Sequence, residues 1–405
     1  MDEKKMLVEQ PRLGRGGMML IITAMNMVAP LSTDMYLPAL PGMADYFHTS
    51  EGVMNLTMVG FFFFFAIGML IFGPISDKYG RKKVLLSGVA LYALASICCA
   101  LSFDVNFLIV ARAVQALGGG CMVAVSTAIV KDAFSAKAQA PVLATAQALG
   151  VIAPMLAPII GAQILRFFIW RATFVVLTII ALVLLLMVIL MKETLPQEKR
   201  LQGSVMESFS RMGKICRDRT FMLFLCATAV FNVSIMSYIT TSSYIYVTGF
   251  GLKATTYSYF FAANALISVL GPVFSVRVRR VPAFIVMGVM LGVSAIGGVL
   301  LMIFGHASPF IFLACFSPTM AVGCCARPYS IGILLGMQND DAGSASSLIN
   351  FVNSMLGSLG MFIITAIWTD YVFGVGALLV AVAIAGTILC LLLAKLCGIH
   401  SIDRR

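Results

Sequence analysis

Two charged side chains stand inside long apolar runs of this sequence, where charge is expensive and marks function by default. Asp34 lies six residues before Leu40, near the end of the first run, and Arg112 lies six residues after Asn106, at the start of the fourth. At a helical rise of about 1.5 Å per residue, both sit about 9 Å below the same surface of a membrane. Opposite charges at matching depth can pair. Burial disfavours a charged carboxylate and a nearby guanidinium favours it, so a change in their separation would make Asp34 take up or release a proton. That is a device for coupling movement to protons, driven by about 2.3 kcal/mol per charge per 100 mV of membrane potential. Pro30 and Pro38 flank the acid at four-residue spacing. Proline donates no backbone bond to the carbonyl four residues earlier, so the carbonyls of Asn26 and Asp34 are expected to be free and the helix locally open at the acid. Asn26 lies two turns from Asp34 on a similar face and could line the same cavity.

The elements that hold these groups must lie in lipid. Of the 405 residues, 60% are hydrophobic and only 11% charged, whereas soluble domains run at about 45–50% apolar and about 25% charged. A soluble globule would have too few charges to cover this apolar surface. Membrane β-barrels alternate apolar and polar residues in short segments; here Phe61–Phe65, Met187–Leu190 and Leu378–Leu393 typify long unbroken runs. Helices remain, because every backbone polar group in lipid needs a partner within the structure. A span of about 20 residues recurs twelve times: 18–40, 52–74, 84–103, 106–130, 138–165, 171–191, 220–245, 255–276, 283–304, 309–335, 342–367 and 372–396. The first follows Lys4, Lys5, Arg12 and Arg15, but it is long enough to span and no small-residue pattern closes it, so it reads as a retained helix and not a signal peptide. The expected fold is an all-α polytopic membrane protein of twelve helices. Residues 1–191 form one six-helix bundle, residues 192–219 a polar linker, and residues 220–405 a second six-helix bundle. The cysteines lie mostly inside the apolar runs, and adjacent pairs such as Cys98-Cys99 lack zinc-site spacing, so they read as small buried apolar residues.

Charge placement sets the orientation. With the N-terminus inside, most of the 28 Lys and Arg residues fall in inner segments, among them Lys78, Arg81–Lys83, Lys192–Arg219, Arg277, Arg279 and Arg280. Only Arg166, Arg171 and Lys253 fall in outer loops, and Arg112 and Arg327 fall in spans. Both ends are therefore expected inside, and the net charge of +11 reads as an orientation signal, not a nucleic-acid surface. A weak internal repeat supports the two halves. Gly73-Pro74 after the second span recurs as Gly271-Pro272 after the eighth, close to half the chain later, and such repeats characterise transporter folds. Gly73-Pro74 is expected to end the second span, and Asp77 and Arg81, four residues apart, can pair if the loop is helical. Gly150, Pro154, Pro158 and Gly161 in the fifth span combine small residues that permit close helix approach with prolines that bend the helix.

A substrate site for small, mostly apolar compounds needs a concave apolar wall with a few polar groups, and Asn232, Ser237, Tyr238, Tyr244 and Asn264 on the seventh and eighth spans could supply them. No nucleophile–base–acid set appears, and His48, His306 and His400 are scattered, so neither enzyme activity nor a metal or other cofactor is expected. An importer of a nutrient or siderophore, or a receptor that transports nothing, would share the same composition. Buried charge argues against the receptor. Arg327, next to Pro328, lies near the inner end of the tenth span, where it either reaches the surface or serves an anionic substrate or a gate.

Several strings resemble the major facilitator superfamily. The second span with its loop, Gly73 to Lys83, looks like that family's motif A, and Arg112-Ala113-Val114-Gln115-Ala116-Leu117-Gly118 looks like its fourth-span motif. The fifth span resembles the antiporter motif of twelve-span drug exporters. Ser32-Thr33-Asp34-Met35-Tyr36-Leu37-Pro38-Ala39-Leu40-Pro41 is similar to the first span of the bicyclomycin/chloramphenicol-resistance antiporters, as are Lys192-Glu193-Thr194-Leu195-Pro196 and Ala342–Leu348. The resemblance implies a proton-coupled antiporter that exports small drug-like compounds by alternating access. It would act as a monomer among the lipids of a bacterial inner membrane, without nucleic acid. Asp34 would be the coupling acid and Arg112 its basic partner. The substrate site would take in Asn26, Asp34, Tyr36, Arg112, Asn232, Tyr238, Tyr244 and Asn264. Gly73, Asp77, Gly80, Arg81 and Asp132 would form a cytoplasmic gate, with Asp132 a partner for Arg81. The second-half repeat departs from this pattern, with Ser275 where Asp77 stands in the first half.

Overall fold

The computed structural model describes residues 6–278, 281–338 and 342–397. Among the orientation-setting charges, Lys4, Lys5, Arg279, Arg280, Arg404 and Arg405 lie outside the described residues. The described helices are α1 (Gly14–Asp34), α2 (Leu40–Tyr46), α3 (Glu51–Tyr79), α4 (Arg81–Ala100), α5 (Val105–Ala133), α6 (Ala136–Phe167), α7 (Arg171–Leu190), α8 (Val205–Ile215), α9 (Arg219–Ala229), α10 (Phe231–Ser243), α11 (Ala254–Ser268), α12 (Leu270–Arg277), α13 (Ala283–Phe304), α14 (Pro309–Met337), α15 (Ala342–Ile367) and α16 (Tyr371–Cys397). Eleven helical stretches are long and apolar enough to cross a membrane, and a shorter apolar one, Ile152–Phe167, completes the 32-residue α6. The all-α, twelve-span architecture is therefore present.

Three spans are interrupted, each with a local cause. The first stops at Asp34, passes through a turn and a short 3-10 segment at Leu37–Ala39, and resumes as α2. Pro38 sits at the start of that segment, where its missing N–H costs least. Val230 separates α9 from α10, and its carbonyl accepts from Val233 N at 3.0 Å in a tightened turn. Val269 separates α11 from α12 in the same way, donating to the Leu266 carbonyl at 3.2 Å. The seventh span then ends in a π-helical turn, Tyr244–Gly249. Several of the other starts are capped by side chains that satisfy the orphan N–H groups of a first turn: Asp104 for α5, Asp218 for α9 and Ser308 for α14.

The expectation that Gly73-Pro74 ends the second span is corrected. Helix α3 runs through Pro74 to Tyr79 and breaks at Gly80, whose φ is 96°. A proline inside a helix forfeits one backbone bond without stopping it. A positive φ does stop it, and only glycine adopts that conformation cheaply.

The chain falls into two compact units. Among the described residues, one holds those up to Thr49 together with Gly60–Ser208; the other holds Ser50–Val59 together with those from Phe209 onward. The linker up to Ser208 thus groups with the first unit. Within it α4 packs on α5 and α7, and α1 packs on α5 and α6. Met18, Ile21, Met25, Val89, Met122 and Val125 are central to its buried core. Within the second unit α13 packs on α14 and α16, and α10 packs on α15. The pairing order of third span on fourth and sixth, and of first span on fifth, is repeated by the ninth on the tenth and twelfth and the seventh on the eleventh. The repeat hinted at by the two Gly-Pro pairs is thus carried by the packing.

Candidate functional site

Asp34 is the last residue of α1 and is only 4% exposed. Its Oδ1 accepts from Thr33 Oγ1 at 2.8 Å, and no cation among the described residues forms an ion pair with it. The neighbouring Ser32 hydroxyl bonds the phenol of Tyr92 on α4 and back-bonds the Val28 carbonyl. Asn26, half-buried, donates to the Ile22 carbonyl at 2.8 Å and to Ser126 Oγ on α5 at 3.1 Å, tying α1 to α5.

Arg112 is fully buried on α5, but it does not pair with Asp34. Its Nη1 donates to Gln115 Oε1 at 2.6 Å, and Gln115 Nε2 donates on to Ser96 Oγ at 2.7 Å. The guanidinium lies 4.3 Å from the ring centre of Phe61, 4.7 Å from that of Tyr36 and 5.7 Å from that of Phe174. Such contacts stabilise a cation by the ring quadrupole, about 2 kcal/mol or more when desolvated. The Nε and Nη2 atoms have no hydrogen-bond partner among the described residues. The expected Asp34–Arg112 ion pair is therefore corrected: matching depth does not fix direction around a helix axis, and the helix break after Asp34 presents Tyr36 to the guanidinium instead. Sequence reasoning singled out Gln115 only as part of a motif and missed Ser96.

Span 5 supplies the seat for this break. A Cβ built on Gly161 would lie 1.7 Å from the Met35 carbonyl oxygen, so α6 and the chain just past Asp34 touch backbone to backbone. Pro158 is buried and Pro154 half-buried along α6. Gly150 falls within α6, but its surroundings lie outside the described residues.

At the Gly80 end of the first unit, Arg81 is 6% exposed and gathers three partners. Its Nη1 meets Asp77 Oδ1 at 2.6 Å and donates to Ser76 Oγ at 2.6 Å, and its Nε meets Asp132 Oδ2 at 2.8 Å. Glu193 was singled out in the sequence only as part of a string, yet its carboxylate accepts from the backbone N–H of Arg81 at 3.0 Å and of Lys82 at 3.2 Å. It also accepts from Thr194 and Leu195. A negative charge at the start of α4 satisfies orphan N–H groups and opposes the helix dipole favourably. Gly80 is needed here twice over, since a Cβ would also lie 2.5 Å from Glu193 Oε2. Gly73 has open space around it. Arg81→Ala is expected to lower unfolding stability by about 2–3 kcal/mol, because it leaves a half-satisfied buried network. Arg81→Lys should recover part of that loss. Thermal unfolding of detergent-solubilised protein reads both.

In the second unit, Tyr238 is buried and stacks on Phe316 at 4.1 Å between ring centres, with Phe261 and Phe312 beyond. The side chains of Asn264 and Tyr246 face its phenol. Tyr244 lies against Tyr371 at 5.9 Å, in a cleft that Glu51, His306 and Asp370 also line. The structure thus brings Tyr238 and Asn264 together and seats Tyr244 against Tyr371. Asn232 Nδ2 donates to Asn353 Oδ1 on α15.

Residues 22–361 match the sequence profile of the Major Facilitator Superfamily. The chain belongs to that superfamily. Relatives include the MFS-type transporter YdgK of Bacillus subtilis, 30% identical over 84% of this chain and 86% of its own length. A bicyclomycin resistance protein homolog of Haemophilus influenzae is 26% identical over 70% of this chain and 72% of its own. The multidrug resistance protein MdtL of Escherichia coli is 28% identical over 91% and 93%. The crystal structure of a peptide transporter superposes with a TM-score of 0.75 over 95% of this chain and 97% of its own, at 14% identity, which speaks for the fold alone. Membership in the superfamily makes the chain a multi-pass membrane transporter of small molecules, not an enzyme. The fourth-span string from Arg112 and the Asp77–Arg81–Asp132 cluster each have defined side-chain partners.

Proposed function

We propose that this transporter exports small, mostly apolar compounds from the cytoplasm in exchange for protons, with Asp34 as the coupling acid. The observation that carries this is a carboxyl group buried at a helix break and held, among the described residues, by Thr33 alone. An unpaired charge in a dry bundle is costly, so such an acid exchanges its proton as its access to water alternates. Relatives named for bicyclomycin and multidrug resistance support an export role. Arg112 acts as a fixed positive centre under Tyr36, Phe61 and Phe174, and Asn26, Tyr238 and Asn264 serve as polar groups along the substrate path. The Asp77–Arg81–Asp132 cluster, with Gly80, serves as a cytoplasmic latch between spans. The positive segments support a topology with both termini in the cytoplasm of a bacterial inner membrane. There the protein works as a monomer of two six-helix halves, surrounded by lipid.

Purified protein in liposomes with an internal pH-sensitive dye tests the reading. The panel would hold amphenicols, bicyclomycin-like compounds, lipophilic cations and siderophores. Compound movement against a counterflow of protons is expected. Compound and proton moving in the same direction would make the protein an importer.

A further inference from the structure

Arg327 takes no part in the sites described above. It lies on α14, ten residues before Met337, so it stands about 15 Å inside the helix end. Despite that depth the residue retains exposed surface. Its Nη2 donates to Asn350 Oδ1 on α15 at 3.0 Å, and among the described residues it meets no carboxylate. A guanidinium at this depth without a counter-ion is expensive unless something anionic visits it.

The neighbours of Arg327 form a row. Asn350 and Asn353 are three residues apart on α15, so they share a face about 5–6 Å apart. Asn353 is 7% exposed, donates to the Ile349 carbonyl and accepts from Asn232 Nδ2 on α10. Among the described residues, the Arg327 end has donors to spare in the guanidinium Nε and Nη1 and the Asn350 Nδ2 amide, and the Asn232 end has the Asn232 Oδ1 amide oxygen to spare as an acceptor. Three helices of one unit contribute, so the arrangement is held by packing and not by one flexible side chain.

We propose that this row is a recognition site for an organic carboxylate. The substrate's acid group would lie on Arg327 and Asn350, and a hydrogen-bond donor of the substrate about one helical turn away would reach Asn232. A carboxylate supplies the paired acceptors that a guanidinium fork and an amide N–H require. The inference rests on the transport reading and gives it a substrate class: amphipathic organic acids bind in preference to their neutral analogues.

The test uses full-length protein in detergent and calorimetric binding of two probes, chloramphenicol succinate and its methyl ester, which differ in one charge. The acid should bind wild type about tenfold tighter than the ester or better, as one charge-assisted contact implies. Arg327→Gln should bring the ratio to about one while ester binding persists, which shows that the variant is folded. Arg327→Lys should keep most of the preference. Equal affinities in wild type, a preference that survives Arg327→Gln, or no binding of either probe overturns the assignment. The export reading is scored separately, by chloramphenicol-dependent proton flux through wild-type liposomes. Flux with equal acid and ester affinities sinks the carboxylate site alone. Acid preference without any flux sinks the antiport alone.

Discussion

Asp34→Asn reduces compound-driven proton flux to the level of empty liposomes, while the protein still folds and inserts. The amide has the size and hydrogen-bonding reach of the protonated acid, so Thr33 keeps a partner and the helix break keeps its shape. What the amide lacks is an exchangeable proton. Because no cation among the described residues pairs with Asp34, its replacement leaves no orphaned charge there, and stability should change by less than about 1 kcal/mol. A structural ion pair would behave oppositely, since removing one partner of a buried pair costs about 3–5 kcal/mol. Unfolding and flux measured on the same preparation separate the two cases. Wild-type flux from the variant would remove Asp34 from the coupling role.

Gly161→Ala is expected to cut transport at least about tenfold and to lower stability by about 1–3 kcal/mol, the usual cost of overpacking a close contact. The new methyl carbon would start 1.7 Å from the Met35 carbonyl oxygen. An ordinary C···O contact is about 3.3 Å or longer, so either α6 or the segment after Asp34 must move. The opposing atom is backbone and cannot rotate away. Displacement falls on the residues that end α1 and on Tyr36, which covers the Arg112 guanidinium. Gly288→Ala in α13 is the matched control: its Cβ would meet nothing within 4 Å, and alanine is the better helix former by about 1 kcal/mol. Equal transport by both variants would show that the α1–α6 contact carries no function.

Much of this architecture was legible before any coordinates. Long apolar runs can be satisfied in lipid only by helices, so the number of spans and their approximate limits follow from composition alone. Positions of the costly groups, Asp34 and Arg112, were equally plain, because a charge stands out among apolar neighbours. The i,i+4 pairing of Arg81 with Asp77 follows from helical spacing and is present at 2.6 Å. Glu193 shows the limit: nothing within its own string says that its carboxylate caps the helix starting at Arg81, more than a hundred residues earlier.

The sequence by itself determined the solvent of this protein, the spans, the likeness of its halves and the residues on which charge is buried, because each of these is a one-dimensional property of hydropathy and spacing. Tertiary structure alone decided what those residues touch. It turned Arg112 away from Asp34 and onto three aromatic rings. It set Gly161 against the Met35 carbonyl and aligned Arg327 with Asn350, next to the Asn232–Asn353 pair. The physical reason is that spacing gives a side chain's height along its helix, whereas a partner depends also on the direction it faces, and that is set by how helices distant in sequence pack.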